Sequence, residues 1–93
     1  MTKKLDSKVA LVSGSGRGIG REIARKLAAE GASVVVNDLD EGPAKQTVAD
    51  IEADGGKAVL CAGSVADAGF AQHFVNTAAQ AFGGLDIIVN NAG

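Results

Sequence analysis

Four short apolar runs punctuate the chain: Val9-Ala10-Leu11-Val12, Val34-Val35-Val36, Ala58-Val59-Leu60-Cys61 and Ile87-Ile88-Val89. None alternates with polar residues, so each reads as a strand buried on both faces. Between them lie stretches of ten or more residues with helical periodicity. The order β-α-β-α-β-α-β implies right-handed crossovers and a parallel sheet. A doubly wound sheet of this kind has the spatial order 3-2-1-4. Its ligands bind where the chain reverses direction, beyond the carboxyl ends of strands one and four. Glycine and small polar residues cluster at those two ends, in Val12-Ser13-Gly14-Ser15-Gly16 and Asn90-Asn91-Ala92-Gly93.

The helices are bounded by recognisable signals. Ile19, Ile23, Leu27, Ala24 and Ala28 make one apolar face, with Arg21, Glu22, Arg25 and Lys26 facing out, and Gly31 ends the helix as a C-terminal cap. The second helix has Asp40 as its expected cap, Pro43 in its first turn, and Ala44, Val48 and Ile51 inward; Gly55-Gly56 ends it. The third is expected to start at an Asp67 cap and run to about Phe82. Phe70, Phe74, Ala78 and Ala81 form its inner side, and Gly83-Gly84 terminates it.

A chain of 93 residues is one domain or part of one. With three Phe, no Trp and no Tyr, the core falls to Val, Ile, Leu and Ala. A net charge of -2 gives no basic footprint for nucleic acid. No apolar run approaches the roughly 18 residues of a membrane span, and the first run after the basic N-terminus, Val9-Ala10-Leu11-Val12, is shorter than the roughly seven to fifteen residues of a signal peptide. One cysteine, Cys61, forms no internal disulfide and fits a reducing cytosol, so a cytoplasmic location is expected. Cys61 reads as packed rather than reactive, and His73 as a surface or edge residue. No metal-ligand cluster is visible.

Three nucleotide-site patterns can be laid over Ser13 to Gly20. The P-loop G-x-x-x-x-G-K-[ST] fails, because Ile19 and Arg21 fall where glycine is needed. The fingerprint G-x-G-x-x-G fails at the same residues. A looser G-x-G-x-G fits Gly14, Gly16 and Gly18, as in methyltransferases that use adenosylmethionine, although their loops usually follow an acid and Val12-Ser13 precede this one. The spacing [ST]-G-x-x-x-G-x-G fits Ser13, Gly14, Gly18 and Gly20. In it Gly14 turns the chain out of strand one, Gly18 lets backbone N–H groups approach a pyrophosphate, and Gly20 lets the helix lie close to the sheet. Gly16 is not required by this spacing.

That loop, with Asp86-Ile87-Ile88-Val89-Asn90-Asn91-Ala92-Gly93 at the other end, resembles the short-chain dehydrogenases/reductases (the SDR family) over essentially the whole chain. The resemblance implies a Rossmann-type doubly wound parallel sheet, truncated after strand four, in which residues 1–93 are the N-terminal part of a single dinucleotide-binding domain. It implies an NAD(P)-dependent oxidoreductase moving hydride between a nicotinamide cofactor and an alcohol/ketone pair. The cofactor contacts it implies are Ser13, Gly14, Ser15, Arg17, Gly18, Ile19 and Gly20 in the loop, and Asp38 and Leu39 after strand two. Ser64 and Val65 after strand three, and Asn90, Ala92 and Gly93 after strand four, complete the set. Asn90 is also expected to tie strand four to the glycine loop.

Asp38 lies 18 residues beyond Gly20, close to the roughly 20 expected of the acid on the adenosine ribose. A carboxylate there accepts the ribose hydroxyls and repels a 2′-phosphate, which favours NAD. Arg17 argues for NADP, since a basic residue at this position resembles NADP-preferring members. Ser64-Val65 stands where members often carry Asp-Val against the adenine amino group.

The family's catalytic Ser and Tyr-x-x-x-Lys lie further along a longer chain, and this sequence has no Tyr. No catalytic residue is therefore assigned, the chain reads as the cofactor-binding part of an incomplete sequence, and these residues alone are expected to be inactive. Strand four would be an apolar edge lacking a neighbour, so the isolated piece is expected to associate or fold poorly. A homo-oligomer, tetramer or dimer, is implied for the complete protein. The alternatives are a nucleotide-binding module or redox-sensing regulator without catalysis, and a methyltransferase.

Overall fold

The computed structural model describes residues 4–64, 67, 69–91. Its elements are β1 (Val9–Val12), α1 (Gly18–Ala29), β2 (Ser33–Val36), α2 (Glu41–Ala53), β3 (Lys57–Leu60), α3 (Phe70–Phe82) and β4 (Ile87–Val89). They form one parallel sheet in the order β3-β2-β1-β4, as the alternation predicts. Val12 pairs with Val36 and Val89, and Val36 with Leu60. Four strands thus finish on one line, and the loops leaving them start side by side.

The apolar runs of β1 and β2 each serve two layers, because successive side chains point to opposite faces. Ala10, Val12, Val34 and Val36 pack under α1 and α2 with Ala24, Ala28, Ala44 and Ile51. Val9, Leu11 and Val35 face α3, against Phe70, Phe74, Ala78 and Cys61. Phe70 and Phe74 meet edge-on with ring centres 4.5 Å apart, a preferred geometry for aromatic pairs.

Glycine ends α1 and α2 by the same device. The Gly31 and Ala32 N–H groups donate to the Ala28 and Leu27 carbonyls, and those of Gly55 and Gly56 to Glu52 and Ile51. Gly31 and Gly55 take φ of 104° and 88°, so both ends are Schellman caps.

Several local expectations are corrected. Ile19 is 74% exposed rather than part of a buried face. The row of α1 that touches the sheet is Gly20, Ala24 and Ala28; small residues let the helix lie close, and the larger Ile23 and Leu27 flank that row half-buried. At the helix start, beyond the end of β1, no layer among the described residues covers Ile19. Asp67 does not cap α3. Its carbonyl accepts the Phe70 N–H in a turn before the helix, and the cap position is Gly69, left-handed at φ 82°. Ala81 is exposed, and Thr47, not foreseen, is fully buried on α2. β2 begins one residue earlier than expected, and β3 spans Lys57–Leu60 with Cys61 just beyond it.

The expected apolar edge is present. Among the described residues β4 pairs only with β1, and Ile88 is 66% exposed. Cys61 and His73 are buried and exposed respectively, as read. No helix among the described residues is long and apolar enough to cross a membrane, and no group of His, Cys, Asp or Glu among them is placed to hold a metal.

Candidate functional site

The cleft at the strand ends is built around two buried polar residues, Ser15 and Asn37. Ser15 Oγ donates to the Val12 carbonyl at 2.7 Å and accepts the Asn37 N–H at 2.9 Å. The Asn37 side chain ties its own loop to the loops that leave β1 and β3. Its Oδ1 accepts the Gly14 N–H at 3.1 Å, and its Nδ2 donates to the Cys61 and Gly63 carbonyls at 2.9 and 3.1 Å. An amide offers one acceptor oxygen and two N–H donors, and here the oxygen and both donors are engaged. At a strand end in sequence, Asn37 reads as turn chemistry; its role shows only when β1, β2 and β3 lie side by side.

The glycines of the loop divide by function. Gly14 has φ 62° and makes the turn out of β1. Gly18 has φ 60°, and a Cβ there would meet nothing within 4 Å; it keeps the approach to α1 clear. Gly20 is closely packed. A Cβ on it would lie 2.2 Å from the Gly14 carbonyl oxygen and 2.5 Å from Asn91 Nδ2. Gly16, set aside by the spacing, is packed too: its Cβ would fall 2.7 Å from Asp38 Oδ2. Arg17 at the cap position of α1 makes no side-chain cap bond, and a helix start of this kind offers its first-turn N–H groups and the positive end of its dipole to an anion.

Asp38 lies beside this loop. Its Oδ2 accepts the Gly16 N–H at 3.0 Å and its Oδ1 the Asp40 N–H at 3.3 Å. Thr47 Oγ1, near Gly16, reaches the Gly16 carbonyl at 3.3 Å and the Pro43 carbonyl at 3.2 Å. Arg17 and Leu39 are exposed at the cleft rim, and the Arg17 guanidinium is paired with the Asp40 carboxylate. Asp40 occupies the cap position of α2 without a side-chain cap bond. Two further pairs, Arg21 with Asp50 and Arg25 with Asp54, continue the seam between α1 and α2. The hydrogen bond from Arg21, helped by Gln46, holds the Asp50 carboxyl below the usual carboxylate range. Burial pushes the Cys61 thiol up, against a weaker opposing contact from Thr77.

β4 is joined to the loop mainly through Ser13 and Asn91. Ser13 Oγ accepts the Asn91 N–H at 2.9 Å and lies 3.4 Å from the Val89 carbonyl and 3.5 Å from Asn90 Oδ1. Asn91 Nδ2 donates to the Gly14 carbonyl at 3.2 Å. The tie expected of Asn90 is thus shared, with Asn91 in the larger part. Ser64 follows β3 and is half-buried. Val65, Ala92 and Gly93, expected in the cleft, lie outside the described residues.

A glycine loop at a helix start, an acid after β2 and an asparagine pair after β4 are therefore bonded to one another beyond the strand ends. The family model for short chain dehydrogenase matches residues 8–93. The chain belongs to the short-chain dehydrogenase family. It is 48% identical to elsinochrome reductase 1 of Elsinoe fawcettii, over 99% of this chain and 35% of that protein. It is 46% identical to L-rhamnose 1-dehydrogenase (NAD(P)(+)) of Sphingomonas sp. (strain SKA58), over 98% of this chain and 36% of that one. Among solved structures it superposes on a hydroxysteroid dehydrogenase from Escherichia coli with a TM-score of 0.92 at 40% identity, covering 96% of this chain and 38% of that one. The chain spans about a third of the length of the relatives it matches. Family membership disfavours the methyltransferase alternative.

Proposed function

We propose that residues 1–93 are the N-terminal part of a single dinucleotide-binding domain, in an oxidoreductase that interconverts an alcohol and a ketone. The bound nicotinamide supplies the hydride acceptor or donor. The observation that carries the reading is the Asp38 carboxylate, held by the Gly16 N–H beside the uncapped start of α1. The cradle suits a dinucleotide: Gly18 leaves open space, and the first-turn N–H groups suit a pyrophosphate. A carboxylate has about four acceptor positions, and two of those on Asp38 are engaged by N–H groups. The others suit two ribose hydroxyls.

On this reading Ser13, Gly14, Ser15, Gly18, Ile19 and Gly20 shape the pyrophosphate site. Asp38 and Leu39 take the adenosine ribose, Ser64 and Val65 the adenine side, and Asn90, Ala92 and Gly93 the nicotinamide side. NAD is preferred over NADP, because Asp38 repels a 2′-phosphate and Arg17 is already paired. Proton transfer to the substrate oxygen falls to groups outside these residues, which include no tyrosine. The complete protein is a homo-oligomer, and the single cysteine of residues 1–93, Cys61, suits the cytosol.

Calorimetric titration of the intact protein with NAD and NADP tests this. NAD should bind more tightly, and Asp38→Ala should weaken NAD more than NADP. Tighter binding of NADP by the wild type would overturn the preference.

A further inference from the structure

Asp40 behaves unlike an ordinary cap. Aspartate at this position normally accepts an N–H from the first turn of its helix, yet the Asp40 side chain makes no such bond. It reaches instead across the cleft rim to the Arg17 guanidinium. Its own N–H holds Asp38 Oδ1 at 3.3 Å. One residue is therefore tied both to the acid that favours NAD and to the cation that would favour a 2′-phosphate. Lys45 on α2 is paired with Glu41 at 3.1 Å, and Arg17 is the one arginine between Ser13 and Gly20.

Resting on the nucleotide-binding reading above, we propose that Asp40 sets the cofactor preference of this site by keeping Arg17 engaged. A guanidinium is the side chain best shaped to bind a phosphate through two parallel hydrogen bonds, and an arginine near the ribose is what admits NADP to such a site. Arg17 and Asp40 side chains are 62% and 65% exposed, and exposed pairs are held weakly. The pair is thus an exchangeable latch: removing Asp40 deletes a negative charge at the rim and releases Arg17 toward any phosphate on the ribose. Asp40 acts as a positioning residue, through Arg17.

The test uses two probes that differ only in the 2′-phosphate, adenosine 5′-monophosphate and adenosine 2′,5′-bisphosphate, titrated calorimetrically into the intact protein. Asp40→Asn should tighten the bisphosphate about three- to fivefold, the upper range of an exposed ionic contact in water, and move the monophosphate less than about 1.5-fold. Adding Arg17→Gln to Asp40→Asn should return the ratio of the two affinities to the wild-type value. An unchanged ratio in Asp40→Asn overturns the proposal. So does a gain that survives in the double variant, because loss of charge at position 40 would then suffice. If neither probe binds the wild type, the nucleotide reading falls and takes this one with it; if the monophosphate binds and the ratio does not move, only the latch falls.

Discussion

Replacing Gly20 with alanine should be among the most damaging single-methyl additions in the chain. The new Cβ would stand 2.2 Å from the Gly14 carbonyl oxygen, where ordinary contact begins at 3.4 Å. Relief therefore requires a shift of about 1.2 Å. The Gly14 oxygen is backbone, in a turn pinned by the Gly14 N–H on Asn37, so the first turn of α1 must lift instead. Overpacking of this kind costs about 1–3 kcal/mol. Losing the Asn91 to Gly14 hydrogen bond, whose donor sits 2.5 Å from the same Cβ, adds about 1 kcal/mol. The sum, roughly 2–4 kcal/mol, is a large part of a typical stability of about 5–15 kcal/mol. Two other glycines calibrate it. Gly18→Ala meets no atom within 4 Å and is penalised only for its φ of 60°, about 1–2 kcal/mol. Gly42→Ala, inside α2 with open space and no positive φ, should be neutral or stabilising by up to about 1 kcal/mol. Equilibrium urea unfolding of the three variants should rank them Gly42, Gly18, Gly20 in increasing damage. A Gly20→Ala midpoint equal to that of Gly18→Ala would refute the close approach of α1 to its loop.

Asn37→Asp should destabilise by about 3 kcal/mol or more at neutral pH, because a buried carboxylate oxygen would face the Cys61 and Gly63 carbonyls in place of a donor. A protonated carboxyl can donate to one of those carbonyls, so part of the loss should return as pH falls; urea midpoints at pH 7 and pH 5 read the difference, and equal losses would contradict it. For Cys61, burial raises the thiol pKa in the folded state. The unfolded thiol ionises first, so the wild type should lose stability relative to Cys61→Ala as pH rises past about 8.5. Thermal melts of both proteins between pH 7 and pH 10 check the sign, and parallel curves would argue against it.

Topology was legible in sequence because unbroken apolar runs with glycine stops leave little freedom: VALV and VVV can only be strands covered on both faces. The candidate cleft was legible for a similar reason, since glycine spacing reports backbone geometry directly, as φ near 60° at Gly14 and Gly18 bears out. Interactions between distant segments were not legible. Thr47 is polar and falls between Ala44 and Val48, and nothing local says that it is buried and reaches the Gly16 carbonyl. Gly16 looked dispensable because its constraint is set by Asp38, 22 residues away. Ile19 fits a helical apolar stripe, but periodicity says nothing about whether another layer extends over that turn.

The three-way amide of Asn37 also bears on how portable this cleft is. Transplanting residues 13–20 into another parallel sheet would carry over the glycines and leave Gly14 without its acceptor. Adding β2 would restore that acceptor and strand the two donors of Nδ2. Only a graft that includes the exit of β3 at Cys61 and Gly63 satisfies every atom of that side chain. The smallest exchangeable unit is thus three strands wide, and chimaeras cut between β2 and β3 should inherit the motif without its rigidity.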